Sequence, residues 1–285
     1  QHLDAFKRWY AQAGTPHVAV TSAYDAQNKR YTLDFHQSCR PTPGQLIKLP
    51  FVIPISLGLL SADGVPLSEP QLLVLTQEHQ TLVFDNIEQA PVPSLLRGFS
   101  APVQLSFQQS DDDLLTLLAH DPDAFSRWEA GQRLCLKAAL LALDKTGPVD
   151  TPLPANLIEG LRLVLRQADL DPAFKELVLT LPSESYIAEQ CTTVDPQRIH
   201  AVREAMRKQL ALALQADWQW AYEQHRVLGA YSPDALSVGR RALSGMALTM
   251  LCIAARDSDD AVWPGKAYQA FKDAHNMTDR FNALS

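Results

Sequence analysis

The residues of this sequence that could do chemistry are few and scattered. His36 and Cys39 stand three apart, a spacing at which an imidazole and a thiolate can reach one metal ion. No second pair completes a four-ligand set, so no metal site is expected there. His200 and Glu204 stand four apart in a helical stretch and read as a surface ion pair on one helix face. Asp111, Asp112 and Asp113 form an acidic run. Following Ser110, they suit the positive end of a helix dipole better than a cation site. Trp218 and Trp220 could form a ligand platform, but two apart on a helix they point to nearly opposite sides, so one at most packs in a core. Ser183 and Ser185 lie in a turn-rich stretch with no His nearby in sequence and read as caps. A zinc-hydrolase helix needs two His four apart with a Glu beside the first. No His here is followed by Glu, no His pair has that spacing, and no G-x-G-x-x-G, P-loop or G-x-S-x-G occurs. The expectation is that this chain supplies no catalytic, substrate-binding or metal-ligating residue.

Composition sets the remaining bounds. The 285 residues suffice for two domains, and 46% apolar with 20% charged residues is ordinary for a soluble globular protein. A net charge of −7 argues against a nucleic-acid-binding face, which needs clustered Lys and Arg. Cys39, Cys135, Cys191 and Cys252 lie far apart with no C-x-x-C pair, which suits reduced thiols and a cytoplasmic location. No signal peptide opens the chain. The most apolar window, Ala242–Ala255, is shorter than the roughly 20 residues that span a bilayer, so no membrane partner is expected.

The elements that must position these residues fall into two sets, divided near Ser110 by a change of hydrophobic period. Residues 3–13 come first and read as the tail of a helix with Leu3, Phe6 and Tyr10 on one face; Gly14 and Pro16 end it. Val18 and Val20, then Tyr31, Leu33 and Phe35, alternate across a polar turn at 25–30 and predict a hairpin. From Ile47 to Leu59 every odd position is apolar, which predicts one long strand. Pro50 and Pro54 share a parity and put that strand at a sheet border. Asp63-Gly64 marks a tight turn, and further strands read at 71–76, 81–84 and 101–107. About seven short strands predict a small antiparallel β-sandwich.

After Ser110 the apolar period is helical. Four helix starts pair a cap residue with Pro: Asp121-Pro122, Asp171-Pro172, Asp195-Pro196 and Ser232-Pro233. A helix over 196–225 should bury Ile199, Val202, Met206, Leu210, Ala213 and Leu214, with Arg203, Glu204, Arg207 and Lys208 outward. Leu236, Leu243, Met246, Ala247 and Met250 mark the next helix. Short links between consecutive helices predict an all-α superhelical, solenoid-like domain. The expected fold is therefore multi-domain, β then α. An orphan helix at the start and no polar closing repeat at Arg280–Ser285 suggest a chain cut at both ends.

Seven stretches, in order, resemble the bacterial aminopeptidase N (alanyl aminopeptidase) branch of the M1 zinc-metallopeptidase family. They are Arg8-Trp9-Tyr10 with Gly14-Thr15-Pro16; Phe84-Asp85-Asn86; Pro91 through Val103; Phe125-Ser126-Arg127-Trp128-Glu129; Leu179 through Glu184; Val202-Arg203-Glu204-Ala205; and Asn276-Met277-Thr278-Asp279. The resemblance covers essentially the whole chain. It implies that residues 1–13 are the last helix of a missing catalytic domain. Residues 14–110 would be the β-sandwich domain, and 111–285 a helical domain truncated at its C-terminus, which caps the active-site cavity in the full enzyme. It implies a parent hydrolase, a monomer, that removes N-terminal amino acids from peptides with zinc, its peptide substrates held by the missing domain. The family's H-E-x-x-H helix, downstream Glu ligand, G-x-M-E-N loop and catalytic Tyr are absent here. The chain alone is therefore expected to be inactive and to bind no zinc. The competing reading is a free-standing protein-interaction module. Packing of Leu3, Phe6 and Trp9 wholly within the chain would favour the module; exposure would favour the fragment.

Overall fold

A computed structural model describes residues 3–150, 152–229, 231–256 and 260–284. The chain divides into two compact units, residues 1–127 and 128–285.

The first unit opens with two helical turns, α1 (Leu3–Phe6) and α2 (Arg8–Ala11), in place of one helix. Seven strands follow: β1 (His17–Asp25), β2 (Arg30–Ser38), β3 (Ile53–Leu60), β4 (Gln71–Leu75), β5 (His79–Phe84), β6 (Val92–Leu95) and β7 (Gln104–Phe107). They form a four-stranded sheet in the order β5-β2-β1-β7 and a three-stranded sheet in the order β4-β3-β6. The predicted hairpin pairs Val20 with Phe35. Its turn closes on the Asp25 carboxylate, which accepts from the backbone N–H groups of Gln27 and Asn28. Val18, Leu33 and Phe35 of one sheet and Ile53, Ile55, Leu57 and Leu75 of the other share one buried core. Each such side chain contributes about 1.5–3 kcal/mol on burial. The helix α3 (Asp111–His120) belongs to this unit and packs against β6.

The long strand is shorter than its pattern suggests: β3 has eight residues and starts at Ile53 rather than Ile47. Ile47 and Leu49 are 86% and 53% exposed, and pairing begins only at Ile53. Side chains serve the backbone before that point. Gln12 exchanges two hydrogen bonds with Leu49, and the buried Gln37 exchanges two with Phe51. Nor is β3 a border strand: it is the centre of its sheet. The proline argument holds only for its first half. β6 pairs with Leu57–Leu60, which leaves Pro54 partnered by β4 alone.

The second unit is helical, and its first helix, α4 (Ala124–Leu143), begins four residues before the unit boundary. α4 leads into α5 (Ala155–Arg166), α6 (Pro172–Leu179), α7 (Glu184–Glu189), α8 (Pro196–Ala213), α9 (Gln215–Gln224), α10 (Ala235–Ala255), α11 (Val262–Asp273) and α12 (Met277–Leu284). Asp171 and Asp195 cap α6 and α8 as predicted. The other two caps move two residues on. Asp123 accepts from Ser126 N–H and Asp234 from Ser237 N–H, because an Asp follows each Pro and reaches the third N–H beyond itself. The expected 196–225 helix breaks at Leu214 (φ −112°, ψ 24°), and Ala213 is exposed rather than buried.

α10 packs against α6, α8, α9, α11 and α12. It buries Leu243, Ala247, Leu248, Met250 and Leu251, while Leu236 is exposed. By length and composition it is the one helix among the described residues able to cross a membrane, yet half of that window is buried inside the unit, so it serves as its core. At the end of the described chain, Met277, Phe281 and Leu284 of α12 are 84%, 69% and 71% exposed; Ser285 lies outside the described residues.

Candidate functional site

The helical unit contains a cavity of about 460 Å³ formed by α6, α8, α10 and α12. Its position follows from the stripe on α8. Ile199, Val202, Met206 and Leu210 face the core, so Arg203 and Arg207, one turn apart, flank it and reach the rim. Arg203 Nε donates to the Pro182 carbonyl at 2.9 Å, and Arg207 Nη1 to Glu204 Oε1 at 2.8 Å. Across from them, the Thr180 hydroxyl donates to the Glu176 carbonyl at 2.9 Å. Asn282 closes one side, with its amide against Gly245; a Cβ there would come within 2.7 Å of it. Leu179 and Met250 form an apolar floor. Guanidinium groups over an apolar floor can hold a chain with a carboxylate. The lining also carries the Glu176 carboxylate and the Thr180 and Thr249 hydroxyls, and it includes no His or Cys.

Elsewhere in the helical unit, the Asp217 carboxylate accepts from Arg162 Nε at 3.1 Å and Arg166 Nε at 2.6 Å. Arg166 stacks 4.5 Å over Trp220. Trp218 is fully buried, so one tryptophan packs in the core and the other carries cations. Lys175 is buried and 5.7 Å from the same ring. Burial pulls its ammonium pKa down, against Asp169.

His36 lies against His79 and Glu78, whereas the Cys39 thiol points to the Ala13 carbonyl. His200 pairs with Glu184 at 2.8 Å, and Glu204 takes Arg207 instead. The expected His200–Glu204 pair is not formed, because α7 brings a closer carboxylate. Ser110 and Asp113 form a reciprocal capping box at the start of α3, which accounts for the acidic run. Ser183 caps α7, but Ser185 sits within it. Arg127, from one of the seven stretches, holds the end of α3 by donating to the Leu118 and Ala119 carbonyls. Sequence reasoning missed the convergence of Arg203 and Arg207 with α6 and α12. The i,i+4 spacing was visible; the facing helices were not.

The residues present do not fit the zinc centre that the sequence resemblance implies. Among the described residues, the only group of three His, Cys, Asp or Glu side chains able to share an ion is His36 on β2, His79 on β5 and Glu78 just before it, none of them on a helix.

Comparisons with known proteins match this architecture. A profile described as "Domain of unknown function (DUF3458) Ig-like fold" matches residues 14–108, and one described as "Domain of unknown function (DUF3458_C) ARM repeats" matches residues 111–285. The chain is 36% identical over 293 residues to Aminopeptidase N of Escherichia coli (strain K12), covering 99% of this chain and 33% of that protein. It is 38% identical over 283 residues to Aminopeptidase N of Caulobacter vibrioides, covering 99% and 32%. The crystal structure of Legionella pneumophila aminopeptidase A in complex with aspartic acid superposes with a TM-score of 0.83 at 26% identity, over 100% of this chain and 33% of that one. The chain thus spans about a third of the length of these relatives.

Proposed function

The chain belongs to the family described as "Domain of unknown function (DUF3458_C) ARM repeats", and from that premise we propose that it is the non-catalytic portion of a zinc-dependent aminopeptidase of the M1 family. The parent removes N-terminal residues from peptides, and the helical unit caps its active-site cavity. The observation that carries this reading is similarity over 99% of this chain to a third of Aminopeptidase N, with no zinc-hydrolase motif in the matched part.

Exposure at the start of the chain supports it. Leu3, Phe6 and Tyr10 are 69%, 46% and 84% exposed, and Trp9 alone packs inward, 4.8 Å from Phe51. A self-contained interaction module would bury that stripe. On this reading residues 1–13 end the catalytic domain, and residues 14–110 and 111–285 are the sandwich and helical domains. The protein works as a monomer in the cytoplasm, where its four free cysteines stay reduced. The cavity with Arg203 and Arg207 is the part of the helical unit suited to a peptide.

The test compares two proteins on an alanyl p-nitroanilide substrate. The 285-residue chain should release no product. The product of the complete reading frame that encodes it should release product and contain H-E-x-x-H before Gln1. Turnover by the chain alone, or a complete frame without that motif, overturns the proposal.

A further inference from the structure

We propose that His36, Glu78 and His79 form a binding site for a divalent transition-metal ion, zinc being the probe, on the four-stranded sheet. The inference rests on the geometry of this unit and is independent of the proposed function.

His36 on β2 and His79 at the start of β5 are directly opposed in the antiparallel register. Their rings lie 4.1 Å apart between centroids. His36 Nδ1 stands 3.0 Å from His79 Nε2. The same Nε2 is 3.9 Å from Glu78 Oε1. The ligand atoms of all three residues fall within 4.8 Å of one another.

Zinc binds imidazole nitrogen at about 2.0–2.1 Å and carboxylate oxygen at about 2.0–2.2 Å in tetrahedral geometry, so two ligand atoms on one ion stand about 3.3 Å apart. His36 Nδ1 lies over the face of the His79 ring, 3.2 Å from Nδ1 and 3.0 Å from Nε2, so the separation suits one ion once the exposed His79 ring turns to aim a nitrogen at it. The carboxylate, 3.9 Å from His79 Nε2 and within 4.8 Å of the His36 ligand atom, must swing inward to reach both imidazoles at about 3.3 Å, and the Glu78 side chain, 67% exposed, is free to turn. Glu78 precedes β5, so the side-to-side alternation of a strand does not force it away from His79. Two imidazoles, one carboxylate and an open position suit zinc chemistry. The ion would tie the edge strand β5 to β2 by side chains as well as backbone. His79 lies far from His36 in sequence, and only the β2–β5 register unites them.

Calorimetric titration of the intact chain with Zn²⁺ tests the site. One Zn²⁺ per chain should bind, and His36→Ala, Glu78→Gln and His79→Ala should each weaken binding about tenfold or more, at least as much as losing a supporting residue does. Cys39→Ser and His200→Ala should leave it unchanged. All five positions are at least partly exposed, and circular dichroism confirms that each variant folds. Zn²⁺ should also shift the imidazole NMR resonances of His36 and His79 and raise the melting temperature of the wild type, but not of His79→Ala. Absence of stoichiometric binding, equal affinity in His79→Ala, or unmoved His36 and His79 resonances overturns the proposal.

Discussion

Replacing Gly58 by Ala should break the buried ion pair between Arg97 and Asp121. Gly58 lies in β3 opposite Ser94 of β6. The Arg97 guanidinium crosses directly over it, and a Cβ at Gly58 would stand 2.2 Å from Arg97 Nη1 and 2.4 Å from its Cζ. The guanidinium is tied where it is. Its Nε donates to Ser94 Oγ at 2.9 Å, and its Nη2 stands 3.2 Å from Asp121 Oδ1. The Asp121 side chain is fully buried. Burial pushes its carboxyl pKa up, opposed by Ser94, the Asp123 backbone N–H and Arg97. A methyl group at Gly58 therefore drives Arg97 outward and leaves a buried carboxylate without its counter-charge.

Removing one partner of a buried pair costs about 3–5 kcal/mol. Asp121 keeps the hydrogen bond from Asp123 N–H at 2.9 Å, which favours the lower end, about 3 kcal/mol. For a unit of this size that lowers the melting temperature by about 12 °C, at about 4 °C per kcal/mol. Differential scanning calorimetry reads the shift. Arg97→Ala reaches the same end by another route, so the double variant Gly58→Ala/Arg97→Ala should cost no more than Arg97→Ala alone. A loss below about 1 kcal/mol for Gly58→Ala, or additive losses in the double variant, would refute the steric argument.

Three further outcomes are expected. Trp9→Ala should destabilise the first unit by about 2 kcal/mol, from the lost Phe51 ring contact and the Nε1 hydrogen bond to the Val52 carbonyl at 2.9 Å; Tyr10→Ala should cost under about 0.5 kcal/mol, and urea denaturation separates the two. Ser110→Ala removes half of a capping box and should cost about 1 kcal/mol by the same measurement. His225 has no hydrogen-bond partner for either ring nitrogen, and burial with Lys175 and Arg240 pulls its pKa from 6.5 to about 4. A depressed folded pKa gives stability that is present above pH 6.5 and lost as pH falls toward 4. Discounted for partial exposure, the loss is about 1–2 kcal/mol. A His225→Phe variant should flatten the stability profile over that window, and an unchanged profile would count against the assignment.

Local pattern carried the sequence reading as far as local physics reaches. Alternation fixed the β1–β2 hairpin, because Val20 and Phe35 can only be buried on one face of a pleated strand. Asp171 and Asp195 announced their helices, because a cap and its proline act within one turn. The absence of a zinc-hydrolase motif needed no fold at all. Tertiary structure decided whatever depended on a distant partner. Ile47 and Leu49 carry strand alternation but no strand, because side chains of Gln12 and Gln37 meet the backbone before β3. β3 became central because β6, distant in sequence, pairs with its second half. The cavity around Arg203 and Arg207, the ion pair over Gly58 and the meeting of His36 with His79 all join residues from separate elements. Spacing along the chain specifies which face of its own element a side chain takes; only packing specifies what stands opposite.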